Sequence, residues 1–254
     1  MFGRSVEYKS VEQIAVMRRA GVVVADVLAS VRDTVAPGVT TLDLDAVARR
    51  VIAQHGATSN FLGYHGFPAT ICTSVNDEVV HGIPSGRVLE SGDLVSVDAG
   101  AIIDGWHGDA AITVAVGEVS PADAELSRVT EAALWAGIEA ARPGARLGDV
   151  GHAIASSIQA AGDYGIVEGF TGHGIGTAMH QDPDVPNVGR AGSGLRLKPG
   201  LVIAIEPMVT RGLPYTQVLE DDWTAVTVDG SRASHWEHTV AITTDGPVVL
   251  TLPA

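Results

Sequence analysis

A single cysteine, Cys72, stands among 254 residues. It excludes an intrachain disulfide and suits a reducing cytoplasm. Cations are scarce too, with 16 Lys and Arg against 30 Asp and Glu and a net charge of −14. Phosphate recognition needs clustered Lys and Arg, so nucleic-acid binding is not expected. No apolar run approaches the roughly 20 residues that span a bilayer, which leaves no membrane partner to expect. The opening Met1-Phe-Gly-Arg-Ser-Val-Glu7 lacks the apolar core of a secretory leader, and cytoplasmic localisation is the expectation. Nothing points to disorder: 46% of the residues are hydrophobic and mean hydropathy is +0.22. The length allows one large domain or two small ones.

What is present is organised around residues 92–116. Two apolar, β-branched runs flank Asp104-Gly105, a strong signal for a two-residue hairpin turn. Asp98 interrupts the first run and Asp109 the second. Folding at the turn sets them nearly opposite, with side chains roughly 5 Å apart. Two like charges that close, on strands this apolar, are costly unless a cation or a shared proton compensates.

Taken in order, Ser10-Val-Glu-Gln13 is a capping box for an amphipathic helix that Pro37-Gly38 breaks. A second helix is expected over about 42–55, ending at Gly56. Strands follow at about 69–75 and across the hairpin. Ser120-Pro-Ala-Asp123 opens a third helix that lasts until Pro143-Gly144, and a fourth spans about 147–161. A Gly- and Pro-rich loop is expected from about 169 to 194. Strands are then expected at 202–210, 225–228, 237–243 and 248–252. The order of elements occurs twice. Pro37-Gly-x-x-x-x-Asp43 recurs as Pro143-Gly-x-x-x-x-Asp149. Leu89-x-x-Gly-x-Leu-Val-x-Val-Asp98 is echoed by Leu197-x-x-Gly-Leu-Val-Ile-Ala-Ile-Glu206. The chain therefore reads as two related halves, about 10–118 and 119–254. An approximate two-fold between them would bring Asp98 and Glu206 toward one centre.

Other polar residues sit in similarly poor company. Glu206 lies in Ala204-Ile-Glu-Pro-Met208, Glu237 opens the apolar run after His235-Trp236, and His173 has a glycine on each side. Taken singly, a loop histidine is a solvated side chain and a glutamate before a strand is exposed; the joint pattern is not explained that way. Four carboxylates and an imidazole form a hard oxygen/nitrogen set. Two divalent ions balance the four negative charges, whereas one would leave −2 in an apolar core. Such a pair lowers the pKa of a bound water toward neutrality, which points to hydrolysis.

Val80-His-Gly-Ile-Pro84, Ser96-Val-Asp-Ala-Gly100, Trp106-His-Gly-Asp109, Gly172-His-Gly-Ile-Gly176, Ile205-Glu-Pro-Met208 and Trp236-Glu-His-Thr239 resemble, in order and spacing, the motifs of type I methionine aminopeptidases. The resemblance runs from about Val11 to the C-terminus. It implies an α/β pita-bread fold, in which a curved antiparallel sheet with helices outside is arranged about a pseudo-two-fold in a single catalytic domain, 1–254. It implies the bacterial form, without an N-terminal zinc region or the type II insertion. The activity implied is removal of the initiator methionine from nascent polypeptides with a small second residue. By position, Asp98 would hold one metal, His173 and Glu206 the other, and Asp109 and Glu237 both. His81, His180 and Glu206 would be catalytic. His180 would support the substrate carbonyl, Glu206 would relay a proton, and His81 would contact the cleaved amide. Tyr64, Phe67, Cys72 and Trp223, with Met179, His81 and His180, would bind substrate in a deep apolar pocket fitted to a thioether. Met179 stands where many relatives carry an aromatic residue, and Phe67 where a tyrosine is common. Cys72 is either a reactive thiol beside that pocket or a small buried residue. The metal is Mn, Fe, Co or Zn, all of which accept this set. A monomer working near the ribosome is the expected context.

Two other readings compete. A proline-specific peptidase of the same superfold would carry a sizeable domain ahead of the metal half, yet only about 90 residues precede Asp98. A non-catalytic binding protein could lose ligands freely, yet all five ligand positions and both histidines are present.

Overall fold

The computed structural model describes residues 6–254; Met1 to Ser5, part of the stretch read for a leader, lie outside the described residues. Helix α1 (Val11–Thr34) opens on the expected capping box, Ser10 accepting from the Gln13 N–H while the Gln13 side chain returns to the Ser10 N–H. Helix α2 (Thr41–Gln54) follows. Strands β1 (Thr58–Ser59), β2 (Ile71–Val75), β3 (Glu78–Val80), β4 (Leu94–Ile103) and β5 (Trp106–Ala115) complete the first part. Helices α3 (Pro121–Ala140) and α4 (Leu147–Ala161) precede β6 (Gly165–Ile166), β7 (Gly172–Gly174), β8 (Gln181–Val185), β9 (Val202–Ile205) and β10 (Met208–Thr210). Strands β11 (Thr216–Val218), β12 (Ala225–Thr227), β13 (Ala233–His235), β14 (Glu237–Ile242) and β15 (Pro247–Val249) close the chain. The segment 169–194, expected as a loop, contains β7 and β8. The run 202–210 is two strands, because Glu206-Pro207 interrupts it and proline supplies no N–H to a ladder.

A nine-stranded antiparallel sheet orders its main path β1-β4-β5-β14-β9-β7-β8. The helices cover one face of it, and strand alternation decides which side chains they meet. Val95, Val97, Ala99 and Ala101 of β4 pack with α1 and α2 in one apolar core. Ile203, Ile205, Val240 and Ile242 pack with α3 and α4 in a second. The intervening residues, Ser96 and Asp98 on β4 and Asp109 and Thr113 on β5, therefore face the other way. Both faces of these strands are buried, so the sequence there reads as a near-continuous apolar run and hides the alternation.

Both Pro-Gly turns are bound in the same manner. The Gly38 N–H donates to the Leu89 carbonyl and the Leu89 N–H to the Val39 carbonyl; Gly144, Leu197 and Ala145 repeat the pattern. Thr40 bridges to Val88 as Arg146 does to Arg196.

Helix α1 sits close on the sheet through Gly21, where an added Cβ would lie 2.0 Å from the Leu250 carbonyl oxygen. A helix-interior Gly→Ala change normally gains about 1 kcal/mol. Here overpacking against backbone, at about 1–3 kcal/mol, outweighs that gain. Gly21→Ala is expected to lower the urea midpoint without changing the slope, and an unchanged or raised midpoint would contradict the packing described.

Candidate active site

The hairpin turn forms as its sequence requires: Ile103 pairs with Trp106, and Asp104 and Gly105 have φ of 50° and 79°, the left-handed backbone of a type I′ turn. Its register differs from expectation by two residues. Asp98 faces Ala111, and Asp109 faces Gly100, so the acids are diagonal neighbours on one face. The two-residue loop centres the ribbon between 104 and 105, not on the midpoint of the two acids. Glu237, at the start of β14, also pairs with Ala111. Asp98, Ala111 and Glu237 thus form a row across three strands with Asp109 beside it, and the small Ala111 side chain lets the carboxylates converge. Thr239 keys this arrangement: its Oγ1 accepts from the Asp109 N–H (3.0 Å) and donates to the Asp109 carbonyl (2.7 Å).

Glu206 enters from the break between β9 and β10. His173 enters from β7, where a Cβ on Gly172 would lie 2.3 Å from the Ala204 carbonyl oxygen and one on Gly174 2.2 Å from that of Asp182. The flanking glycines are therefore required by backbone crowding against adjacent strands. His173 Nδ1 lies 3.0 Å from the Gly174 carbonyl oxygen. Donation there leaves the Nε2 lone pair free, 3.5 Å from Glu206 Oε1.

All twelve residues expected at the site line one cavity of about 120 Å³: Asp98, Asp109, His173, Glu206 and Glu237 on its polar wall, His81 and His180 at its side, and Tyr64, Phe67, Cys72, Met179 and Trp223 on its apolar wall. Phe61 joins the apolar wall and was not anticipated; it stands edge-on to Phe67, and only its place three residues before Tyr64 could have suggested it. His235 was also missed as a site residue. It is 2% exposed, and its Nε2 lies 3.5 Å from Glu206 Oε2; its position two residues before Glu237 was the available signal.

Burial and mutual charge dominate the electrostatics. Burial pushes Asp98 up to about 7. Asp109 and Glu237 are raised well above the carboxylate range, first by burial and then by their acidic neighbours. Burial acts in the same direction on Glu206, but His235 and His173 outweigh it and hold Glu206 below its usual value. His180 is pushed down to about 4 by burial and by the neighbouring His173, so it is neutral at pH 7. Its Nδ1 lies 2.7 Å from the Tyr64 hydroxyl. Burial also lowers His81, which holds a strained φ of 62°. The Cys72 thiol is raised by burial and by Asp98, so it is a protonated wall residue and a poor nucleophile.

The donor set fits a metal centre. Asp98 Oδ1, Asp109 Oδ1 and Glu237 Oε1 are buried without a hydrogen-bond partner among the described residues, which is costly unless a ligand satisfies them. Donor atoms of Asp109, His173 and Glu237 lie within 4.8 Å of one another, as do those of Glu206, His235 and Glu237. No helix among the described residues is long and apolar enough to cross a membrane.

Known proteins share this arrangement of chain and fold. A sequence model of metallopeptidase family M24 matches residues 15–244. Methionine aminopeptidase 1 of Mycobacterium tuberculosis (strain CDC 1551 / Oshkosh) is 55% identical, covering 98% of this chain and 96% of that protein. The crystal structure of a methionine aminopeptidase from Thermotoga maritima superposes with a TM-score of 0.96 at 42% identity, covering 98% of this chain and all of the other. An Xaa-Pro dipeptidase from Bacillus anthracis shares the fold at 23% identity and a TM-score of 0.78, but this chain spans only 61% of it. The fold is the pita-bread fold, and the chain belongs to metallopeptidase family M24, among its methionine aminopeptidases.

Proposed function

We propose that the protein hydrolyses the first peptide bond of polypeptides that begin with methionine, and that the thirteen residues lining the cavity do the work. One observation carries this reading. Five metal-type ligands from separate parts of the chain, three with orphaned buried oxygens, line one cavity together with a contiguous apolar cluster. Asp98, Asp109, His173, Glu206 and Glu237 would hold two divalent ions, with Mn, Fe, Co and Zn all compatible with the donors. When bound, such a pair neutralises the four carboxylates, acidifies a water and polarises a carbonyl.

The chain's own groups then divide the labour. The apolar wall of Phe61, Phe67, Cys72, Met179 and Trp223 takes an unbranched thioether and excludes water. His180 is neutral, and when the Tyr64 O–H donates to Nδ1, Nε2 carries the proton and donates to the substrate carbonyl oxygen. Glu206, held ionised by its histidine neighbours, accepts the proton of the attacking water and delivers it to the departing amine. His81 contacts the amide at the scissile bond. The same reading treats the chain as one catalytic unit of two related halves, about 10–118 and 119–254, which the matched bonding of the two Pro-Gly turns supports. It places a monomer in the cytoplasm, near the ribosome, acting on new N-termini with a small second residue and binding neither nucleic acid nor membrane.

A peptide panel tests this against both alternatives. Purified protein loaded with Mn²⁺ or Co²⁺ is expected to release methionine from Met-Ala- and Met-Gly-initiated peptides, to leave Xaa-Pro peptides that do not begin with methionine intact, and to lose activity to a chelator. Cleavage of those Xaa-Pro peptides would favour the proline-specific reading. Metal uptake without turnover would favour a binding protein.

A further inference from the structure

His235 touches neither metal nor substrate in the scheme above, where it only helps keep Glu206 ionised, yet the fold holds it by an extended set of buried hydrogen bonds. Thr113 Oγ1 donates to the His235 carbonyl (2.8 Å). The His235 N–H lies 3.1 Å from the same Oγ1 and 3.2 Å from Ser96 Oγ. The Ser234 hydroxyl donates to Thr113 Oγ1 (3.0 Å), and Ser96 and Thr113 bond each other at 2.9 Å. Two buried hydroxyls, on the strands that carry Asp98 and Asp109, thus clamp the backbone of one residue, and the buried Ser234 hydroxyl braces one of them. In β13 His235 pairs with Met208, two residues beyond Glu206.

The ring is 2% exposed, and its Nε2 has no hydrogen-bond partner among the described residues. The neighbour it faces is Glu206 Oε2, at 3.5 Å. The other oxygen, Oε1, lies 3.5 Å from His173 Nε2, so the carboxylate stands between two imidazoles. An orphaned ring nitrogen in so rigid a setting is costly unless it serves the group it faces.

We propose that His235 is a positioning residue for Glu206: its Nε2–H holds Oε2, which fixes the carboxylate plane and leaves Oε1 directed at His173 and the ligand cluster. This rests on the reading of Glu206 as both ligand and proton acceptor. Outer partners of this kind are worth 10–100-fold in metal affinity or activity. Glutamine keeps an N–H donor of similar reach, whereas leucine keeps bulk and removes the donor.

The test compares wild type, His235→Gln and His235→Leu, each checked for folding by its thermal midpoint. Co²⁺ affinity is read by calorimetry, the visible spectrum of the Co²⁺-loaded protein is recorded, and kcat and KM are measured separately. His235→Leu is expected to lose 10–100-fold in Co²⁺ affinity or in kcat, with KM nearly unchanged. His235→Gln is expected within about threefold of wild type, with an unaltered spectrum. A leucine variant equal to wild type overturns the proposal, and so does a glutamine variant as impaired as leucine. A spectrum that changes in His235→Gln also overturns it, since the ring would then be a direct ligand. If wild type itself takes up no Co²⁺, the metal-centre reading fails first, and the two failures are distinguishable.

Discussion

Asp109→Asn, at a ligand expected for both ions, is expected to weaken divalent-metal uptake at both positions and to lower kcat/KM for a Met-Ala peptide by more than about 10³-fold. The estimate follows from the several kcal/mol that metal charge supplies to such a transition state, at 1.36 kcal/mol per tenfold. Asp109 is 3% exposed, and its Oδ1 has no partner among the described residues. The same substitution is expected to stabilise the metal-free protein. Asparagine matches the carboxylate in shape and carries no charge, so it relieves the repulsion that raises Asp98, Asp109 and Glu237 together. Activity and stability should therefore move in opposite directions, as they do where a site is held in a costly arrangement for function. Differential scanning calorimetry of both proteins after chelation, at pH 8, measures the second half. A metal-free Asp109→Asn protein that melts below wild type would mean the carboxylate is satisfied without an ion.

The second large effect concerns pH. Raised carboxyl pKa values mean the folded protein binds more protons than the unfolded chain, so stability falls as pH rises through the folded-state values. The buried histidines act in the opposite sense. His81, His180 and His238 are lowered by burial, so folding gains as pH rises toward 6.5. Glu206, lowered, acts only below about 4.5. Above pH 6.5 these contributions are complete, and the raised site acids act in one direction: Asp98 near 7, with Asp109 and Glu237 also well above their ordinary range. Between pH 6.5 and 8.5 the metal-free protein is therefore expected to lose stability, at about 1.4 kcal/mol per pH unit for each carboxyl still protonated. At about 2–4 °C per kcal/mol for a chain of this size, the midpoint should drop by several degrees. Saturating Mn²⁺ should remove the drop, because the ions bind carboxylates and displace their protons. A flat profile in the metal-free protein would show that the acids are already ionised and screened.

Both predictions depend on residues whose chemical type was legible in the sequence and whose arrangement was only partly so. Asp98, Asp109 and Glu206 stood out because each interrupts an apolar run where a charge is expensive, and Glu237 because it opens one. The capping box of α1 and the Asp104-Gly105 turn were legible for a related reason, since each is a local motif satisfied by residues within four positions of one another. The diagonal offset of Asp98 and Asp109 was not. It depends on where a two-residue loop centres the ribbon, and a shift of one position there moves every partner by two.

Local pattern thus determined the helices, the hairpin, the repeat of Pro-Gly turns and the identity of the acids and histidines that converge. Tertiary structure alone decided that His173 lies on a strand inside a glycine-rich segment, that Phe61 joins the pocket wall, and that His235 faces Glu206. The reason is physical. A helix cap or a tight turn is fixed by bonds between near neighbours in the chain. The strands that place His173 and His235 are three residues long, too short to show a period, and they join the site through β9 and β10, more than twenty positions away in the chain.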